Sequence, residues 1–317
     1  MTQTKFLAGI VYDERCLKHR QGPGHPECPE RVTAIQEALK VTGLLDSLLS
    51  IPARPATDDE LLLVHTQPFI EEVKAVCAGA PGELGPDVFI STPHSLEAAL
   101  LSAGAGFQAV DAIMEKKVTR VFCNTRPPGH HALPNEAMGF CIFNNIALAA
   151  RYAQNRHGVR KILIVDWDVH HGNGTQDIFY EDPDVFYFST HRYPYYPGTG
   201  ARIEDGAWPA KGATLNVPLP GGTGDEVFLS SYEKLLLPEA VAFKPDLVLI
   251  SCGFDAHGRD PLGGMGVTEE GFAKLTELVV RIANLTCDGK IISFLEGGYN
   301  LEALAACAVE HVKQLMV

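Results

Sequence analysis

The sequence predicts an α/β protein with a mostly parallel central sheet sandwiched between helices, and three observations carry that prediction. Short apolar, β-rich runs alternate with longer segments of helical pattern. The chain has 317 residues and is 46% hydrophobic, enough for one full core. Polar, Gly-flanked residues recur directly after the apolar runs, on the edge where open α/β sheets bind ligands.

In chain order, a strand at 6–11 precedes helices at 30–41, 68–78 and 94–117. A strand at 121–123 leads to a helix at 143–157. The apolar run Ile162-Leu163-Ile164-Val165 marks a strand at 162–166, and strands follow at 185–189 and 213–217. A helix at 225–243, a strand at 246–251, a helix at 268–286, a strand at 290–295 and a helix at 300–315 complete the pattern. The stretch 191–212, rich in Gly, Pro and Tyr, is the longest irregular segment, and loops that long are often functional. No repeat, low-complexity tract or Pro/Ser-rich linker divides the chain, so residues 1–317 are read as one domain.

Composition bounds the function. A formal net charge of −13 argues against a nucleic-acid or anionic-membrane partner and favours a cationic substrate. The eight cysteines are scattered with no C-x-x-C pair, which points to reduced thiols. Met1 to Asp13 lacks the pattern of a signal peptide, and no run of 18 uninterrupted apolar residues predicts a membrane span. A cytoplasmic location is expected.

The most informative segment is DWDVHHGNGT, Asp166 to Thr175. In extended backbone Asp166, Asp168 and His170 share one face, and Trp167 and Val169 the other. Two carboxylates and an imidazole at a strand end resemble a metal site. A third protein ligand is expected from elsewhere, with Asp255 the best candidate and His171 and His257 its rivals. Asp260, before Pro261, reads as a turn residue. Three protein ligands leave positions for water and substrate, as in a catalytic site.

Two further motifs supply chemistry. In RPPGHHA (126–132), His130 and His131 sit on a tight connection. An isolated loop pair ordinarily faces solvent, but beside a metal it would serve as general base and acid. In LEGGYN (295–300), two glycines turn the chain after a strand and place Tyr299 at the sheet edge. Seen alone, Tyr299 reads equally well as a packed turn residue or as a donor to a polarised carbonyl oxygen. Competing motifs fail. Gly104-Ala105-Gly106 lies inside a helical pattern without a preceding strand, and no G-x-S-x-G occurs.

Taken together, GHPECPERV (24–32), RPPGHHA, GFCIFNN (139–145), DWDVHHGNGT, DPLGG (260–264) and LEGGYN resemble the zinc-dependent histone deacetylase and acetylpolyamine amidohydrolase superfamily. The motifs occur in the right order from about residue 10 to 300. Asn173 and Glu296 look like the class II branch and its bacterial relatives.

The resemblance implies an arginase/deacetylase-like catalytic domain with about eight strands. It implies one Zn²⁺ on Asp168, His170 and Asp255, with Fe²⁺ chemically admissible. His130 and His131 would flank the attacking water, Asp166 would orient His130, and Asn173 would orient His131. Tyr299 would polarise the scissile carbonyl. Gly139 would offer its backbone carbonyl to the substrate amide, and Phe140, Tyr196 and Leu262 would line the acyl-lysine tunnel. Arg31 would lie near an internal acetate pocket. Structural K⁺ would bind at Asp166, Asp168, His170, Ser189 and Thr190, and near Phe179, Asp182 and Val185.

The implied activity is removal of an acyl group from an amine, above all N-ε-acetyl-lysine in a protein or peptide. An acylated polyamine is the alternative within the same chemistry, although the apolar Leu262 at the gate-like position favours lysine. A catalytically silent acyl-lysine-binding scaffold would have lost Tyr299 or a ligand, and an arginase-like enzyme with two manganese ions would need further ligands. The sequence leaves acyl length and oligomeric state open.

Overall fold

A computed structural model describes residues 7–317. The first half contains β1 (Ala8–Val11), α1 (Glu30–Val41), β2 (Leu49–Ile51), α2 (Asp58–Leu61), α3 (Gln67–Ala78), β3 (Gly82–Gly85), β4 (Val88–Ile90), α4 (His94–Met114), β5 (Arg120–Cys123) and α5 (Asn145–His157). The second half contains β6 (Ile162–Asp166), α6 (Asn173–Phe179), β7 (Val185–Arg192), β8 (Thr214–Leu219), α7 (Asp225–Ser231), α8 (Leu237–Phe243), β9 (Leu247–Cys252), α9 (Glu269–Thr286), β10 (Ile291–Leu295) and α10 (Leu301–Leu315). The first residue of the strand expected at 6–11 lies outside the described residues.

Eight strands form one sheet in the order β2-β1-β5-β10-β9-β6-β7-β8, while β3 and β4 form a separate hairpin. Every pairing in the large sheet is parallel. All strands therefore end on the same edge, and the residues following β5, β6, β9 and β10 meet there.

Strand alternation divides the core into two layers. Ile162 and Ile164 pack on one face with α3, α4 and α5, whereas Leu163 and Val165 pack on the other with α1, α9 and α10. Trp167 and Val169 continue into the second layer, so the alternation expected for DWDVHH holds beyond the strand. Asp166 and Asp168 lie opposite them and are fully buried.

Five differences from the sequence-based expectation have local causes. Strand β2 is a three-residue edge strand, and the hairpin β3–β4 is too short to give an alternating pattern. Helix α6 begins in the Gly-rich segment that reads as a turn. The helix expected at 225–243 is broken by a π-helical turn at Tyr232–Leu236. Pro238, in the first turn of α8, has no N–H for the ladder, which accounts for the break there. The helix expected from residue 143 starts at Asn145, where the Asn144 side chain accepts from the Ala147 N–H at 3.1 Å.

Helix α4 is long and apolar enough to cross a membrane by length and composition alone. Its residues instead pack in the core against α5. Gly104 lies inside this helix, not in a dinucleotide-binding turn, and a Cβ there would overlap the Arg54 carbonyl. The eight cysteines are all free, and seven are buried.

His311 joins the sheet to its helix layer through a buried polar chain. Thr276 Oγ1 donates to Phe272 O at 2.8 Å, so it accepts from His311 Nδ1–H at 2.9 Å. His311 Nε2 then accepts from Ser293 Oγ–H at 2.8 Å. This is the neutral tautomer, and burial pushes the His311 pKa down to about 3. Burial likewise holds His65 and His191 down to about 4.

Because the unfolded chain takes up these protons first, stability is full above the unfolded histidine pKa and falls as pH drops toward the folded values. Between pH 6 and 4, His311 alone should contribute a slope of about 1 kcal/mol per pH unit. The variant His311→Gln should be less stable at pH 7 and show an acid slope flatter by about that amount. Urea unfolding at a series of pH values measures both, and an unchanged slope would refute the assignment.

Candidate active site and metal centre

Two carboxylates at the sheet edge are each held by a backbone N–H distant in sequence, and Asp168 Oδ1 also accepts from the nearby His170 N–H at 2.9 Å. Asp168 Oδ2 accepts from the Gly297 N–H at 2.7 Å, and Asp255 Oδ1 accepts from the Val169 N–H at 2.8 Å. Their other oxygens face His170, whose Nδ1 lies 3.1 Å from Asp168 Oδ1 and 3.2 Å from Asp255 Oδ2. Ligand atoms of a tetrahedral zinc site stand roughly 3.3 Å apart, as Zn–N and Zn–O bonds near 2.0–2.1 Å require. Asp255 Oδ2 is buried without a hydrogen-bond partner, which in a protein interior demands compensation. Burial and the neighbouring Asp168 push the Asp255 carboxyl up to about 7. A divalent cation would resolve both penalties, so these residues fit zinc.

Glycines make room for this cluster. A Cβ at Gly253 would overlap Asp168 Oδ2, and one at Gly297 would overlap Asp255 Oδ2. The rival ligands lie elsewhere. His171 bonds Thr199 Oγ1 at 2.8 Å and Gln176 Oε1 at 3.0 Å. His257 pairs with Glu269 at 3.2 Å.

The histidine pair stands beside the cluster, buried rather than in solvent, with ring centroids 4.0 Å apart. His130 Nδ1 lies 3.1 Å from Asp166 Oδ2, which also accepts from Tyr187 O–H at 3.0 Å. Burial opposes charge on His130, but Asp168, Asp166 and Glu296 overcome it and raise its pKa. His131 Nδ1 meets Asn173 Oδ1 at 2.7 Å. Burial and the charges of His130 and His170 hold its pKa well down. Donating Nδ1–H to Asn173 leaves His131 Nε2 as a free base.

Above these groups is a cavity of about 140 Å³ lined by Asp87, His131, Gly139, Phe140, His170, Tyr195, Tyr196, Leu262 and Tyr299. Phe140, Tyr196 and Leu262, expected to line a tunnel, are among them, as is Gly139. Tyr195 stacks on His170 at 5.6 Å, and Tyr196 stands edge-on to His131 at 5.2 Å. Phe140 stands edge-on to Tyr299 at 6.0 Å. Gly139 and Phe140 both have positive φ, at 56° and 68°. A Cβ at Gly139 would strike the His131 ring, so glycine is required for this approach. Burial, with the charge of Asp255, pushes the Tyr299 phenol well up, so Tyr299 stays protonated and able to donate.

Arg31 is fully buried behind Tyr299, its guanidinium 5.1 Å from the ring centroid. It donates to Gly298 O at 2.6 Å and to Glu296 O. It shares Glu27 with Arg126, whose Nε donates to Glu27 Oε1 at 2.7 Å. One carboxylate between two guanidiniums leaves a buried positive surplus beneath the site.

The residues assigned to potassium divide into two places. Asp166, at the end of β6, is the register partner of Ser189 inside β7, with Thr190 next in β7. Phe179, Asp182 and Val185 close the turn between α6 and β7, where Asp182 N donates to Phe179 O and Val185 N to Asp182 O.

Several residues of the site escape a reading by motif. Glu296 Oε2 accepts from Gly129 N–H at 2.7 Å and His130 N–H at 3.2 Å, fixing the histidine loop. Glu27 and Arg126 lie inside quoted motifs, but nothing in the sequence pairs them. Asp87, at φ 60° between β3 and β4, has no signal beyond a Pro-Asp turn. Asp260 does close a turn, as expected, taking Leu262 N–H at 2.9 Å and Gly263 N–H at 3.1 Å. Its second oxygen also accepts from Tyr299 N–H at 2.6 Å.

Comparison with known proteins identifies the family. A family model described as the histone deacetylase domain matches residues 25–315. "Histone deacetylase 10, chloroplastic" of Oryza sativa subsp. japonica is 43% identical, over 96% of this chain and 72% of its own. "Histone deacetylase-like amidohydrolase" of Pseudomonas aeruginosa is 37% identical, over 96% of this chain and 85% of its own. The crystal structure of the HDA15 HD domain superposes with a TM-score of 0.93 at 40% identity, covering 98% of this chain and 88% of that one. The chain belongs to the histone deacetylase domain family and is an amidohydrolase of that family.

Proposed function

We propose that the protein removes acetyl or other acyl groups from the N-ε-amine of lysine in proteins or peptides, using one zinc ion held by Asp168, His170 and Asp255. The observation that carries this reading is the buried, unpaired Asp255 Oδ2 facing His170 at the floor of a cavity lined by His131 and Tyr299. When bound, zinc would supply Lewis acidity to the amide carbonyl and make water a better acid. Fe²⁺ is an admissible substitute for this donor set.

The chain's own groups divide the remaining work. His131 Nε2 takes the proton of the attacking water and returns it to the leaving amine. His130, held by Asp166, carries positive charge beside the reacting centre. The Tyr299 phenol donates to the carbonyl oxygen as negative charge develops. Phe140, Tyr195 and Tyr196 wall the acyl-lysine stem from water, and the Gly139 carbonyl accepts from the substrate amide. Arg31 offers positive charge to the carboxylate product. Structural K⁺ at the two assigned places belongs to the same reading.

Acylated polyamines are the second reading. Asp87 in the cavity lining favours a cationic chain, while the apolar Leu262 of the same lining favours a lysine stem. Assaying acetyl-lysine peptides against acetylated polyamines, with metal analysis of the same sample, decides between them. The first reading requires a higher kcat/KM on the peptides.

Asp168→Ala and Asp255→Ala should lose metal and activity together. Full metal occupancy in Asp255→Ala would show that the ligand set is wrong. A linear aliphatic hydroxamate should inhibit, because it offers two oxygens to an open metal. No inhibition at a millimolar dose would argue against an accessible metal.

Tyr299→Phe should lower kcat by about 10²–10³ at matched zinc content, with a much smaller change in ground-state binding. A drop of less than about threefold would remove the phenol from the mechanism.

A further inference from the structure

Asp260 is a buried carboxylate whose two oxygens do different things. Oδ1 accepts from the Leu262 and Gly263 N–H groups, at 2.9 and 3.1 Å, and closes the turn that carries Leu262. A turn needs no more than this. Oδ2 reaches across 39 positions of sequence to the Tyr299 backbone N–H at 2.6 Å. Leu262 and Tyr299 both line the cavity. The turn is also close-packed on a ligand, since a Cβ at Gly263 would overlap the Asp255 carbonyl.

The Tyr299 backbone needs such an anchor. It follows Gly297 and Gly298, and Gly298 has φ 117°, a conformation open to glycine. Two glycines in succession leave the following residue poorly fixed by the chain itself. On one side Arg31 holds the Gly298 and Glu296 carbonyls. On the other, α10 starts at Leu301 with Asn300 as its cap. Tyr299 lies between these fixtures, and Asp260 takes its N–H.

We infer that Asp260 is a positioning residue that acts through Tyr299, setting the phenol against the reacting carbonyl and coupling it to the Leu262 wall. This rests on the deacylase reading above. A displacement of about 1 Å in such a group costs on the order of 10²-fold in rate, so loss of the anchor should appear in kcat.

Asp260→Asn separates the two roles. An Asn Oδ1 still accepts from Leu262 and Gly263, but its amide nitrogen meets the Tyr299 N–H donor to donor. Asp260→Ser is the second variant, because its short hydroxyl can serve the turn without spanning to Tyr299. The experiment measures kcat, KM and zinc content on an acetyl-lysine peptide for wild type, Asp260→Asn, Asp260→Ser, Tyr299→Phe and the double variant Asp260→Asn/Tyr299→Phe.

The expected result is a fall in kcat of about 10–100-fold in Asp260→Asn, with zinc retained and KM changed far less. The double variant should be no slower than Tyr299→Phe alone, because the phenol through which Asp260 acts is already gone. Multiplicative losses in the double variant would overturn the inference, as would an Asp260→Asn deficit that disappears when rates are expressed per bound zinc. If Asp260→Asn does not fold, the kcat and zinc content of Asp260→Ser decide by the same criteria. A wild type inactive on every acyl-lysine peptide would instead refute the deacylase reading and leave a different signature.

Discussion

The site depends on two buried carboxylates, Asp168 and Asp255, brought within reach of one imidazole. Each gives one oxygen to a distant backbone N–H, from Gly297 and Val169, and turns the other toward His170, whose own N–H also binds the Asp168 oxygen. Burying two like charges this close is unfavourable unless a cation joins them. Much of the surrounding structure keeps the pair from relaxing. Gly253 and Gly297 let backbone approach where any side chain would collide. Trp167 and Val169, buried in the opposite core layer, stop the segment from rotating its carboxylates toward solvent.

That arrangement explains what the sequence revealed readily. Parallel strands must end on one edge, so polar residues after β5, β6, β9 and β10 converge without any long-range inference. Period-two alternation along Ile162–Val169 assigns Asp166 and Asp168 to one face and Trp167 to the other, and the core layers follow the same division. The tunnel residues Gly139, Phe140, Tyr196 and Leu262 came from family resemblance alone. The sequence contains no local pattern that brings these three parts of the chain around one cavity.

What escaped prediction depends on contacts distant in sequence or on backbone geometry. Glu296 is two oxygens on one side chain, and only the fold reveals that one of them fixes the His130 loop. The Glu27–Arg126 pair spans 99 positions. Asp87 owes its place to a positive φ in a hairpin too short to be seen as strands. Asp260 was read by its neighbour Pro261, which describes one of its oxygens and not the other. A local signal describes local bonds, and the second oxygen of a buried carboxylate is rarely bound locally.

The two histidines show how small a change in surroundings can divide two identical side chains. His130 faces the carboxylate of Asp166, whereas His131 faces the amide of Asn173. The rings are 4.0 Å apart, so a proton on one opposes a proton on the other. The carboxylates of Asp168, Asp166 and Glu296 around His130, and burial with a neutral acceptor at His131, settle that competition. His130 keeps the charge, and His131 is left with a lone pair on Nε2. Environments that push paired titratable groups apart mark acid and base roles. Asp166 and Asn173, placed on either side of the same Gly-rich turn, contribute to that separation alongside burial and the carboxylates of Asp168 and Glu296. In the proposed mechanism the charge on His130 adds to the field at the reacting centre, while the acceptor on His131 stays open. An aspartate at position 173 would weaken that division, because it would stabilise an imidazolium on the residue that the proposed mechanism uses as base.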